Sequence, residues 1–150
     1  MTKVTTTSAQ LIANSSILLF SDYPKIIINF KSQTDKKFFI NADKKQILRV
    51  FNNLIKNSVQ ALRHIAKGEI NISIKSTSDN IIVKISDNGI GIPKNQIDKI
   101  FTPSFTTKSY GMGMGLAIVK NIVNNSGGNI YFESVEDVGT TFTISFPVSK

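Results

Sequence analysis

The chain has 150 residues, 41% of them hydrophobic, which suits one domain with a continuous core. Its longest apolar runs, such as Ile17-Leu-Leu-Phe20 and Ile26-Ile-Ile28, fall far short of the roughly 18 residues of a membrane helix, and no cleavable signal is visible. The lack of cysteine excludes disulfides, thiolate metal sites and thiol nucleophiles and makes a cytoplasmic setting the simplest expectation, while the net charge of +8 comes from scattered lysines rather than a basic helix. Nucleic acid and membrane are therefore not the expected partners; the charge reads first as a bias of composition, and a polyanionic small ligand would also suit this field.

Met1 to about Ser8 is polar and threonine-rich and reads as a frayed lead-in, followed by a short helix within residues 9–20. Lys25-Ile-Ile-Ile-Asn-Phe30 and Phe38-Phe-Ile40 have strand composition. Asp43 is placed to cap a long helix running to about Ala66 and closed by Lys67-Gly68. Two strands, Ile70–Lys75 and Ile81–Ser86, flank a turn at residues 76–80. A helix over Leu116–Asn125 ends at Gly127-Gly128, and strands Asn129–Glu133 and Thr140–Pro147 close the chain. This order predicts a single α/β domain, a two-layer sandwich with helices on one face of a mixed sheet.

Three features carry chemistry. On the long helix, Ile47, Phe51, Leu54, Ile55, Ser58 and Leu62 share one face, and Asn53 and Asn57 lie one turn apart on its flank. Carboxamide oxygens are hard ligands, and so sparse a set fits Mg²⁺ that takes its other ligands from phosphates and water; capping or bridging of backbone groups is the structural alternative. Asp87 closes a strand ahead of Gly89 and Gly91: a carboxylate there can accept from an exocyclic amine such as adenine N6, or simply close an Asx turn. Gly111, Gly113 and Gly115 precede a helix whose free N–H groups favour phosphate. No strand directly precedes these glycines and no lysine-serine pair follows, which excludes the dinucleotide fingerprint and the P-loop. Residues 94–110 read as a lid, with Phe101 and Phe105 as apolar anchors and Lys108 as a phosphate contact or a solvated lysine.

In order, Asn53-Leu-Ile-Lys-Asn57, Asp87-Asn-Gly-Ile-Gly91, Phe101 to Lys108, Gly111-Met-Gly-Met-Gly-Leu116 and Gly139-Thr-Thr-Phe142 resemble the nucleotide-binding motifs of sensor histidine kinase catalytic domains, over about residues 40–148. The resemblance implies the Bergerat ATP-binding sandwich shared with gyrase and the ninety-kilodalton heat-shock chaperone. It implies Mg²⁺ on Asn57 and Asn53, adenine N6 on Asp87, and a base pocket lined by Gly89, Gly91 and Ile92. It further implies nucleotide contacts from Phe101, Phe105, Thr107, Lys108, Gly111, Gly113, Met114, Gly115 and Leu116, with Thr140 or Thr141 supporting Asp87.

Hydrolysing members of that superfamily carry a glutamate base where this chain has Asn53, and an amide cannot take the proton of an attacking water. The resemblance thus implies transfer of the γ-phosphoryl of ATP to a histidine on a separate dimerisation domain, with Asn53 and Lys108 at the reaction centre. A response regulator would be the indirect partner, and the parent kinase could be anchored in the inner membrane. The residues before the first motif are too few for a phosphoacceptor hairpin, and His64, after the metal motif on the same helix, is in the wrong place to be the acceptor. A serine kinase of the anti-sigma-factor type and a non-catalytic ATP-sensing module are the alternatives on the same fold.

Overall fold

The computed structural model describes residues 3–20, 22–23, 25–34, 37–103 and 115–149. In chain order the elements are β1 (Lys3–Thr5), α1 (Thr6–Leu19), β2 (Ile26–Gln33), β3 (Phe39–Asn41), α2 (Lys44–Ala61), β4 (Gly68–Ser76), β5 (Asn80–Asp87), a 3-10 helix (Lys94–Lys99), α3 (Gly115–Asn125), β6 (Asn129–Val135) and β7 (Gly139–Pro147). β2, β4, β5, β7 and β6 form one sheet in that order, parallel between β2 and β4 and antiparallel elsewhere. β1 and β3 pair as a separate antiparallel ribbon.

Period-two patterning gives the sheet one buried face. Ile70, Ile72 and Ile74 of β4, Ile81, Val83 and Ile85 of β5, and Phe142, Ile144 and Phe146 of β7 are all buried, while Glu69, Asn71 and Lys75 between them are exposed. The helices cover that face, α2 lying between α1 and α3 and reaching β4 and β5, and α3 reaching β6. Asp43 starts α2 as expected, its carboxylate accepting from the N–H of Lys45 at 2.7 Å and of Gln46 at 3.2 Å. The opposite face of the sheet is polar: the Asn29 amide donates to Glu69 and to Asn71, each at 3.0 Å, and Ser86 and Thr141 share a hydrogen bond of 2.7 Å.

Three boundaries differ from the sequence-based expectation. Lys3–Thr5 is a strand and α1 begins at Thr6, so the lead-in is structured from residue 3; Val4 is buried in the main core and supplies the reason. α2 stops at Ala61: the Leu62 N–H donates to the Ser58 and Val59 carbonyls, the Ile65 N–H donates to the Leu62 carbonyl, and Leu62 is buried in the core before β4 starts at Gly68. The predicted lid also begins in ordered structure. Residues 94–99 form the 3-10 helix, Ile100 is buried, and Phe101 packs edge-on against Phe132 and Phe142 at 5.8 and 6.5 Å between ring centroids.

Candidate functional site

Asp87, the last residue of β5, is only 8% exposed although it is a carboxylate. Its Oδ1 accepts from the Gly89 N–H at 2.9 Å, closing an Asx turn that swings the chain across the sheet end. Thr140 on β7 is its cross-strand partner and Ser134 on β6 is in turn the partner of Thr140, so three side chains stand in one row on the helix-covered face. The Thr140 and Ser134 hydroxyls are 2.8 Å apart, and Ser134 accepts from the Ile92 N–H at 2.8 Å.

The loop after Asp87 is tied down on every side. Asn88 accepts from the Glu69 N–H at 2.7 Å and donates to the Lys67 carbonyl at 2.9 Å. The Ile90 N–H donates to the Ala61 carbonyl at 3.1 Å, and the Asp137 N–H donates to the Ile90 carbonyl at 2.7 Å. Gly89 sits so close to the end of α2 that an added Cβ would lie 2.8 Å from that of Ala61. Gly91 has φ +69°, and its missing Cβ would run into the Val135 carbonyl, so no other residue fits there without moving backbone. These contacts make the floor beneath Asp87 rigid.

Across the helical layer, Asn53 and Asn57 lie half-buried on α2. A Cβ added to Gly115, the first residue of α3, would lie 3.1 Å from Asn53 Oδ1, so the carboxamide flank of α2 meets the start of α3. A helix start leaves its first N–H groups without intrahelical partners and so favours an anion there. Among the described residues no group of three or more His, Cys, Asp or Glu could hold a metal by itself. Carboxamide oxygens at a helix start fit a cation that arrives with phosphates and keeps its waters, and do not fit a permanent protein-caged ion.

Of the expected site residues, Asn53, Asn57, Asp87, Gly89, Gly91, Ile92, Phe101, Gly115, Leu116 and Thr140 are described, and they fall at the sheet end below Asp87 and along the α2–α3 flank. Phe101 is an anchor: its ring contacts go to Phe132 and Phe142, with Lys120 Nζ 5.1 Å from its centroid. Thr141 is a correction. Strand alternation turns it to the opposite sheet face, where it bonds Ser86, and Thr140 alone shares the face of Asp87. Phe105, Thr107, Lys108, Gly111, Gly113 and Met114 lie outside the described residues. Ser134 and Asn88 were not among the expected residues; for Ser134 the signal was a hydroxyl in the inward register of Ile130 and Phe132.

The family model described as "Histidine kinase-, DNA gyrase B-, and HSP90-like ATPase" matches residues 42–150. The chain belongs to that family. Its fold is that of histidine kinase catalytic domains: it superposes on the nucleotide-free catalytic domain of histidine kinase ThkA with a TM-score of 0.83 and 28% identity, covering 98% of this chain and 96% of that one. It is 42% identical over 110 residues to the sensor histidine kinase ZraS of Salmonella typhimurium, which is 73% of this chain and 23% of ZraS. ThkA is also known in complex with the response regulator protein TrrA, a structure of TM-score 0.76 and 24% identity, covering 99% of this chain and 42% of that one. The chain thus spans about a quarter of the length of the curated relatives it matches. No helix among the described residues is long and apolar enough to cross a membrane.

Proposed function

We propose that this domain binds Mg·ATP and passes the γ-phosphoryl to a histidine on a dimerisation domain, as the catalytic unit of a two-component sensor kinase. The observation that carries the reading is the meeting of Asn53 on α2 with Gly115 at the start of α3. It joins a ligand-poor carboxamide pair to a phosphate-favouring helix end, with Asp87 on the neighbouring sheet end to take an amine of the base. Asn57 and Asn53 would hold Mg²⁺, which when bound neutralises charge on the phosphate oxygens.

Within this reading, Asp87 accepts the base amine, while Gly89, Gly91 and Ile92 wall the pocket and Thr140 supports Asp87. The N–H groups of Gly115 and Leu116 face the phosphates. The motif resemblance would add nucleotide contacts from Phe105, Thr107, Lys108, Gly111, Gly113 and Met114, which lie outside the described residues. Asn53 offers no basic atom for water activation, so the site favours positioning an incoming acceptor over hydrolysis. A response regulator would receive the phosphoryl group afterwards, from the dimerisation domain.

Calorimetric titration with ATP, with and without magnesium, tests the site. Wild type is expected to bind with a magnesium-dependent component that Asn57→Ala lacks; equal magnesium dependence in both removes α2 from the metal site. Radiolabelled ATP tests the reaction. Label is expected on a separately supplied dimerisation domain of the parent kinase and not on the chain alone, because an unpositioned acceptor reacts slowly. Label on the chain alone that vanishes in His64→Gln overturns the assignment of the acceptor.

A further inference from the structure

The proposed base pocket contains one hydroxyl pair whose proton direction decides what the pocket can recognise. Asp87 is an acceptor at both oxygens when ionised. A carboxylate standing alone suits guanine, whose edge presents two neighbouring donors, N1–H and N2–H₂. Adenine presents one donor, N6–H₂, beside one acceptor, N1. Selection of adenine therefore requires a hydrogen-bond donor next to the carboxylate. Thr140, cross-strand neighbour of Asp87 and 6% exposed, is the side chain placed to be that donor.

Whether Thr140 can donate depends on Ser134. The Ser134 oxygen accepts from the Ile92 N–H at 2.8 Å, and its single proton has two acceptors in reach, Thr140 Oγ1 at 2.8 Å and the Gly139 carbonyl at 3.2 Å. With the proton on the shorter path, Thr140 Oγ1 is satisfied as an acceptor and its own single proton is released for the ring acceptor of the base, directly or through one water. With the proton on Gly139, Thr140 donates back to Ser134 and presents only lone pairs to the pocket.

We propose that Ser134 is a specificity-determining positioning residue: by donating to Thr140 while fixed by Ile92, it makes Thr140 a donor and the pocket selective for adenine. This rests on the nucleotide-binding reading above. The same hydroxyl also couples the loop after Asp87 to the β6–β7 hairpin, because Ile92 belongs to that loop and Gly139 begins β7.

The test is the ratio of ATP to GTP affinity, measured calorimetrically on the whole chain for wild type, Ser134→Ala, Ser134→Thr, Thr140→Val and the Ser134→Ala/Thr140→Val double variant. Wild type is expected to prefer ATP. Ser134→Ala should narrow the preference about tenfold, the scale on which a buried hydrogen-bonding site discriminates between partners. Ser134→Thr, which keeps the hydroxyl, should restore it, and the double variant should be no worse than Thr140→Val, since both act through one hydroxyl. If Ser134→Ala fails to fold by circular dichroism, Ser134→Cys, which keeps the side-chain size but donates only weakly, reads the same ratio, and a preference equal to that of wild type overturns the inference.

A Ser134→Ala variant that weakens ATP and GTP by the same factor reduces Ser134 to a structural role and overturns the inference while leaving nucleotide binding intact. Wild type that binds both nucleotides equally overturns it as well. A folded wild type that binds neither nucleotide overturns the underlying reading and the inference together.

Discussion

At the scale of single residues, Asp87 divides its work between fold and ligand. Oδ1 closes the turn by accepting from Gly89, so Asp87→Asn can keep that bond through its amide oxygen. Its NH₂ would then be a donor set against the donor amine of adenine. The variant should unfold close to wild type yet lose on the order of 1–3 kcal/mol of ATP affinity, measured by calorimetry beside a thermal melt. Unchanged affinity would remove Asp87 from the base site. Ser58 poses the opposite case: it is 1% exposed on the core face of α2, and its hydroxyl has no hydrogen-bond partner among the described residues. Ser58→Ala removes a buried, unsatisfied polar atom at small loss of volume. A gain of about 1 kcal/mol, or roughly 2–4 °C in Tm, is expected, and a lower Tm would show that the hydroxyl is satisfied in solution.

At the scale of elements, the site depends on how the loop after β5 docks against α2 and the β6–β7 hairpin. Gly91 meets backbone rather than a flexible side chain, and its φ of +69° disfavours any Cβ. Gly91→Ala should therefore cost roughly 1–3 kcal/mol of stability and weaken nucleotide binding with it, because the loop cannot keep both the Asp137–Ile90 bond and the Ser134–Ile92 bond. A variant with wild-type denaturant midpoint and affinity would show that the loop relaxes freely. The carboxamide flank of α2 is likewise an element-scale feature. Asn53 and Asn57 border the core because the helix spends its centre on Ile47, Phe51, Leu54 and Ile55, and α3 covers that flank from the side.

For the molecule as a whole, the N-terminal elements belong to the same core as the site. Val4, Ala9, Ile12 and Ala13 are buried in one cluster with Phe51 and Ile72, although the family match begins only at residue 42. Burial of Val4 and Ile12 alone is worth roughly 3–6 kcal/mol before the chain entropy regained on their removal. Deleting residues 1–22 should lower Tm by several degrees and leave α2 uncovered on its α1 side, as read by calorimetric melting. An unchanged Tm would make β1 and α1 an appendage.

The amino-acid sequence by itself determined what is local and periodic. The apolar face of α2, the inward register of β4, β5 and β7, and the order of asparagines, Asp87 and glycines follow from spacing, because side chains at periods of 3.6 and 2 share a face wherever the element is placed. The register even held the answer for Thr140 over Thr141, since Phe142, Ile144 and Phe146 share its parity. The tertiary structure alone decided the rest. The parallel pairing of β2 with β4, the pairing of β1 with β3 and the row of Asp87, Thr140 and Ser134 all join residues far apart in the chain. Such contacts form only when distant segments bury a common surface, and local propensity carries no information about which segments those are.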